Sequence, residues 1–306
     1  MWVAITRTYA RRMDPRRLLI FREVARAGSI SAAARTLGWT QPAVSQHLRA
    51  LERSCGATLL LRGAGGVELT GPGRVLLARA DAVAAELHMA EEELAELGTL
   101  RRGRVRLAAY PSAAATLVPS ALARLRSSHP ALDVELTEAE PPEALQMVGS
   151  GDIDVALVFA YDEPGSAVAG LRWRWIGEEP VLLVLPAAHP DAARDHVPLG
   201  ELADAPWIVG CDRCREHAIT RCAEAGFAPT VRHVSDDYVV VQNLVAAGLG
   251  VTLLPSSALQ AYRHPDLRTI PGYGIRRFGV VHREGAEGVP ATSVLLSELL
   301  QAARLA

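Results

Sequence analysis

The stretch AAARTLGWTQPAVSQHLRALE, residues 32–52, leaves the chain little freedom in how it folds. Ser31–Leu37 is Ala-rich and predicts a short, closely packing helix that Gly38 stops, as a glycine past a helix C-terminus does. A second helix then starts with Thr40 or Gln41 as its cap and Pro42 in its first turn, where a missing N–H costs nothing. Its apolar residues Val44, Leu48 and Leu51 fall on one face, and Gln41, Ser45, Gln46, Arg49 and Arg53 on the other. Upstream, Leu18, Phe21, Val24 and Ala25 recur at helical spacing. Two helices across a glycine turn, the second carrying amides, hydroxyls and guanidiniums on its free face, form a helix-turn-helix of the kind that enters the DNA major groove. RGAGGVELT, 62–70, adds a glycine-rich hairpin, or wing.

Charge is distributed to suit this reading, although the whole chain of 306 residues has a formal net charge of −2. Residues 1–79 hold 13 Arg against four acids, whereas the remainder holds 19 Arg against 30 acids. The field that a polyanion meets is local, and it is positive at the N-terminal end. All the basic residues are Arg, the better bidentate partner for phosphate and guanine.

After Gly71-Pro72-Gly73, the positions Leu76, Ala80, Val83, Leu87, Ala90, Leu94 and Leu97 step by four and three alternately. That is a heptad seam, and it predicts self-association into a homodimer or homotetramer. From Arg104 onward short strand-like runs (VRLAAY, LDVELTEA, DIDVALVF, PVLLVLP, PWIVG, TVRHVS, GVTLLP, FGVVHR) alternate with helical stretches at 117–127, 141–149, 213–225 and 236–247. The alternation predicts an α/β fold of two lobes with largely parallel sheets and a ligand cleft at the strand ends. The expected organisation is a disordered tail over 1–12 (with Met13 as an alternative start), a winged helix-turn-helix over 13–70, a linker helix over 71–100 and a two-lobed domain over 101–306. The N-terminus lacks a signal-peptide core, so a cytoplasmic location is expected. The uncharged run 238–262 is broken by Gln242-Asn243, Gly248, Gly250 and Pro255 into helix, turn and strand, a buried core and not a membrane span.

The segments FREVARAGSISAAARTLGWTQPAVSQHLRALE, LLLRGAGGVELTGPGRVLL, LVPSALARLRSSHP, GDIDVAL and LVAAGLGVTLLP together resemble the LysR-type transcriptional regulators, over nearly the whole chain from Met13. The resemblance implies a winged helix-turn-helix, a linker helix and a two-lobed effector domain of the periplasmic-binding-protein type. It also implies a homo-oligomer that binds double-stranded promoter DNA and responds to a small effector, with no bound cofactor. The family's Gln-Pro pair and following serine appear as Gln41-Pro42 and Ser45, and its Arg before the wing as Arg62. The family's Leu-Gly and Leu-Phe pairs are replaced by Cys55-Gly56 and Leu60-Leu61, apolar exchanges in the core.

Base edges fall to Gln41, Ser45, Gln46 and Arg49 with His47 beside them, phosphates to Arg35 and Arg62, and Thr40 and Pro42 complete the expected interface. For the effector, the family's first-lobe pocket maps onto Ser112 and Thr116 at a helix start that suits an anion, although Glu140-Pro141-Pro142 stands where relatives carry a hydroxyl. Phe159, Cys211, Asp212 and Asp236 are expected at the cleft from strand ends, and Ser112 and Asp236 are alternatively simple helix caps.

CDRCREHAITRC, 211–222, contains three of the four cysteines. Cys222 lies two turns past Cys214, about 12 Å at 1.5 Å per residue, too far to share one metal ion with it. Cys211 and Cys214 at a helix N-terminus leave three readings open: cleft-lining thiols, a redox pair, or a metal site. An enzyme or solute-binding protein with an incidental helical head is the alternative from another class. The chain has no G-x-S-x-G, H-E-x-x-H or P-loop motif to support catalysis, and Asp152 and Asp154 in GDIDVAL are read as local pairing groups.

Overall fold

The computed structural model describes residues 13–63, 66–98, 103–161 and 170–305, excluding the side chains of Arg62 and of 91–98. The expected tail over 1–12 therefore lies outside the described residues. The chain divides into two compact units, the first running to Glu91 and taking in Gly149–Gly151, the second holding the remainder.

The first unit begins with three helices, α1 (Pro15–Ala27), α2 (Ile30–Thr36) and α3 (Gln41–Cys55). Asp14 caps α1 by accepting from the Arg16 N–H, and Ser29 caps α2 by accepting from the Ala32 N–H. At the far end of α2, Gly38 takes φ +67°, and the N–H groups of Gly38 and Trp39 bond back to the carbonyls of Arg35 and Ala34. This is a Schellman closure, which glycine supplies without strain. Phe21, Val24, Ala33, Val44, Leu48 and Leu51 form the core under the three helices. Strands β1 (Leu60–Gly63) and β2 (Gly66–Leu69) pair antiparallel as the wing. The Glu52 carboxylate on α3 accepts the N–H of Leu59 at 2.9 Å and so fixes the entry to the wing. A single helix, α4 (Gly71–Gly98), follows, anchored to α1 by an Arg22–Asp81 ion pair at 2.7 Å.

The second unit holds β3 (Arg104–Ala109), α5 (Pro111–Ala115), α6 (Leu117–Ser128), β4 (Asp133–Glu138), α7 (Pro141–Ser150), β5 (Val155–Ala160) and the 16-residue β6 (Leu171–Pro186). It continues through β7 (Pro206–Val209), α8 (Asp212–Glu224), β8 (Thr230–Val234), α9 (Tyr238–Ala246), β9 (Thr252–Pro255), α10 (Ser256–Ala261), the 17-residue β10 (Leu267–Arg283) and α11 (Pro290–Ala303). The main sheet has the order β4-β3-β5-β10-β6-β9, and β7-β8 form a separate pair. Pairing is parallel for β3 with β4 and β5 and for β7 with β8, but antiparallel wherever β6 or β10 takes part. The expectation of largely parallel sheets therefore holds only away from these two long strands. Each runs through both lobes: β10 meets β5 through 277–282, and β6 meets β9 through 181–184.

Aliphatic β3 and β5 pack under α6 and α11 through Leu107, Leu157, Val118, Leu125, Leu295 and Leu299. The second lobe packs around Trp207, Leu183, Leu185 and Ile270. Gly250 is required where β9 approaches β7, because a Cβ there would stand 2.6 Å from the Pro206 carbonyl oxygen. Asp154 is buried and accepts from the backbone N–H, Nε and Nη2 of Arg106. Its partner lies on a neighbouring strand, so GDIDVAL is a structural motif rather than a catalytic carboxylate pair. No helix among the described residues is long and apolar enough to cross a membrane.

Gln242, which interrupts the uncharged run, is fully buried on α9. Its amide donates to the carbonyls of Ala258 and Tyr262, and its carbonyl accepts the His264 N–H. Gln242→Leu should strand these backbone groups and cost about 2–4 kcal/mol, seen as a lower denaturant midpoint of the full chain. Asn243→Ala, at an exposed neighbouring position, should leave the midpoint close to wild type.

Candidate functional site

The first site is the free face of α3. Thr40, Gln41, Pro42, Gln46, Arg49 and Arg53 are exposed on it, and Arg35 is exposed on α2. Thr40 is the N-cap but its hydroxyl makes no capping hydrogen bond, so the first N–H groups of α3 keep their capacity for an oxygen ligand. His47 is half-buried, its ring 5.2 Å from that of Trp39, and Arg16 lies 4.9 Å over the same tryptophan. Ser45 departs from the expectation. It is 4% exposed, because position 45 lies on the boundary of the face carrying Val44 and Leu48 and turns inward with them. It does not share the exposed surface of Gln46 and Arg49. Arg62 lies in β1, but its side chain is outside the described residues.

The second site lies within the second unit, at the ends of β3, β5 and β7. A cavity of about 50 Å³ is lined by Tyr110, Ser112, Glu140, Phe159, Cys211, Cys214, Asp236 and Arg276, among others. Of the expected effector residues, Ser112, Phe159, Cys211 and Asp236 line it. Thr116 does not: its hydroxyl bonds back to the Ser112 carbonyl at 2.6 Å, at the break between α5 and α6. Asp212 does not either, since as the first residue of α8 it faces solvent. Neither capping alternative applies. Tyr110 occupies the N-cap of α5 ahead of Ser112, and α9 is capped by Asp237, which accepts from the N–H groups of Val239 and Val240.

The residue that organises the cavity is one the sequence did not single out. Arg276 is 2% exposed and ion-paired with Glu179 at 2.7 Å, and it donates to the hydroxyls of Ser112 and Ser257 at 2.9 Å each. Its guanidinium lies 4.4 Å over Phe159 and 4.9 Å over Tyr110. Glu179 also accepts the Ser257 N–H at 2.7 Å and the Ser256 hydroxyl at 3.1 Å. Beside this cluster Glu140 keeps a buried Oε2 with no hydrogen-bond partner. Burial raises the Glu140 carboxyl above its ordinary range, and the Cys211 thiol pulls it partly back. The Sγ atoms of Cys211 and Cys214 are 3.2 Å apart, and Tyr161 donates its hydroxyl to Cys214 at 3.3 Å. Cys222 is fully buried in the second-lobe core and Cys55 packs partly buried in the first unit. Among the described residues no group of three or more His, Cys, Asp and Glu side chains is placed to hold a metal ion.

Residues 15–74 match the bacterial regulatory helix-turn-helix proteins of the lysR family, and residues 98–304 match the LysR substrate binding domain. The chain belongs to the LysR family of transcriptional regulators. This LysR regulator is 31% identical over 94% of its length to a probable hydrogen peroxide-inducible genes activator of Streptomyces viridosporus, covering 93% of that protein. It is 28% identical over 82% of its length to the regulator AlsR of Bacillus subtilis, covering 83% of that protein. Among solved structures it matches a full-length OxyR variant from Pseudomonas aeruginosa (TM-score 0.68, 21% identity, 96% of this chain and 95% of that one). It also matches CbnR (TM-score 0.64, 22% identity, 95% and 99%). The LysR regulator is thus a DNA-binding protein with a helix-turn-helix head and an α/β effector domain.

Two outcomes test these sites. Arg49→Ala should cost about 1–3 kcal/mol against the cognate sequence and relax its preference over random DNA, whereas Arg35→Ala should weaken all sequences alike and lower the salt slope by about one. For Glu140 the folded state favours the protonated carboxyl, so its contribution to stability is present at low pH and is lost as pH rises through the raised value. Glu140→Gln should therefore raise the melting temperature at neutral pH and narrow the difference between acidic and neutral melts.

Proposed function

We propose that the protein is a homo-oligomeric regulator of transcription that carries two or more basic heads to promoter DNA in the cytoplasm. Its DNA affinity or geometry is set by what occupies the cavity beside Arg276. Its role is binding rather than catalysis. The observation that carries the reading is the exposed Gln41–Gln46–Arg49 face of α3 on a unit with a strong excess of Arg. Polar groups at that face read base edges, and the surrounding Arg residues neutralise phosphates.

The linker helix supports the oligomer. Along its seam Leu76 and Val83 are half-buried and Ala80 is buried within the single chain, but Leu87 and Ala90 are exposed. A seam with bare apolar positions is completed by the same helix of a second copy. Pairing two heads doubles the phosphate contacts, so a chain with a net negative charge still binds a polyanion.

The cavity limits the effector. Its Arg276 is already neutralised by Glu179, and Glu140 and Asp236 sit on its wall. The arrangement favours a small effector of low negative charge over the simple carboxylate that a helix start alone suggests.

Fluorescence anisotropy with the protein's own upstream DNA is the test. Affinity should fall by about a thousandfold or more between 50 and 200 mM salt. Leu87→Asp should shift sedimentation towards the monomer and weaken DNA binding with it. Salt-indifferent binding, or a Leu87→Asp protein that stays oligomeric, would count against the proposal.

A further inference from the structure

Two carboxylates face the strand-end cavity without a counter-ion. Glu140 stands at the end of β4 and Asp236 just ahead of α9, and both line the cavity wall. Among the described residues neither is ion-paired, and the Oε2 of Glu140 is shut off from solvent with no hydrogen-bond partner. Arg276, the one cationic side chain of the wall among the described residues, is held by Glu179. We infer that the effector bears a positively charged nitrogen, an alkylammonium or amidinium head, which seats between Glu140 and Asp236. This rests on the regulator reading and names the chemical class that its cavity takes.

The energetics of the empty wall point to such an occupant. A buried acceptor left unfilled and two like charges left facing each other both cost stability, and one bound N–H cation relieves both. The charge of Asp236 reaches Glu140 and raises its carboxyl, as does that of Glu138 at the end of β4. Glu138 and Asp237 likewise raise Tyr238, which lines the same cavity. The approach is therefore negative on two sides, and a mouth of one sign concentrates ligands of the other. At the N-terminus of α8, whose partial positive charge would suit an anion, Asp212 in the first turn offsets it.

The remaining wall is apolar at Val241, Leu254, Pro255 and Ala258, which suits the alkyl part of an amine. A cavity of about 50 Å³ holds about four water-sized positions, enough for a head group of a few heavy atoms. A metal ion is the poorer occupant, because among the described residues no group of three ligating side chains is placed to hold one. A carboxylate would add a third negative charge beside Glu140 and Asp236.

Seating a cation also favours the ionised form of Glu140, so binding expels its proton. The charged and titratable groups acting on Glu140 are the Cys211 thiol from α8, Asp236 ahead of α9, Arg276 from β10 and Glu138 from β4. Amine affinity should accordingly rise with pH through the raised Glu140 value.

The test is calorimetric titration of the full-length protein with three probes of equal size: propylamine, propanol and propionate. Propylamine should bind in about the millimolar range, the reach of so small a probe, and more tightly at about pH 8 than at about pH 5. Propanol and propionate should bind more weakly. Glu140→Gln and Asp236→Asn should each weaken propylamine about tenfold, the loss of one charge-assisted hydrogen bond. Asp212→Asn removes the same charge at a nearby exposed position and should leave the affinity close to wild type. Propionate binding tighter than propylamine, amine binding indifferent to Glu140→Gln and Asp236→Asn, or no amine binding well above the millimolar range would overturn the assignment. So would tighter binding of magnesium or zinc at the same carboxylates. Propylamine should alter the affinity or footprint on upstream DNA, and unchanged DNA binding at amine saturation would overturn its role as effector. Failure of the amine-free protein to bind DNA would count instead against the regulator reading, leaving the amine site to stand or fall by calorimetry.

Discussion

The second unit is organised around one buried ion pair. Arg276 on β10 and Glu179 on β6 meet where the two long strands pass between lobes, and neither is tolerable there alone. An unpaired guanidinium or carboxylate at such depth costs several kcal/mol, and removing either partner of a buried pair typically costs about 3–5 kcal/mol. The pair is kept soluble within the protein by what surrounds it: three serine hydroxyls, a backbone N–H and two aromatic faces. Those groups come from α5 and the tyrosine that caps it, from β5 and from α10, none of them from the paired strands themselves. The ion pair therefore fixes the mutual placement of elements from both lobes, and the cavity is the space left beside it.

The head follows a different logic, built from short-range signals. Caps at Asp14 and Ser29, the closure at Gly38 and the Glu52 bond to the wing each span a few residues, and together they present α3 outward. Its affinity is electrostatic and local, so the acidic remainder does not cancel it at distances beyond about 10 Å. The acidic unit instead discourages the chain from lying down on DNA anywhere but at its head.

That contrast explains what could be read from residues alone. The three head helices, the wing and the linker helix are legible because cap, turn and heptad signals act over one or two turns. Ser45 was misplaced because a residue on the boundary between two helix faces is assigned by its chemistry rather than by its angle. The halves of β6 and β10 before Pro180 and Phe278 escaped notice, since Gly177, Pro180, Pro271, Gly272 and Gly274 break the pattern that marks a strand. Arg276 and Glu179 are 97 positions apart, and nothing local distinguishes them from surface charges. Asp237 rather than Asp236 caps α9, a one-residue ambiguity that only backbone geometry resolves. Cys211 and Cys214 were legible as a pair, but not the Tyr161 hydroxyl that donates to Cys214 from 53 positions away.

The strand order has a consequence for how the protein comes into being. Domains tend to fold as they emerge during synthesis, N-terminal part first. The head has all its residues once the wing is complete, but β10 enters the centre of the main sheet from near the end of the chain. Until β10 leaves the ribosome, β5 lacks its second neighbour, Glu179 lacks its counter-charge and the cavity lacks the Arg276 part of its lining. A nascent or prematurely ended chain thus possesses its helix-turn-helix head before it possesses the cavity of its effector domain.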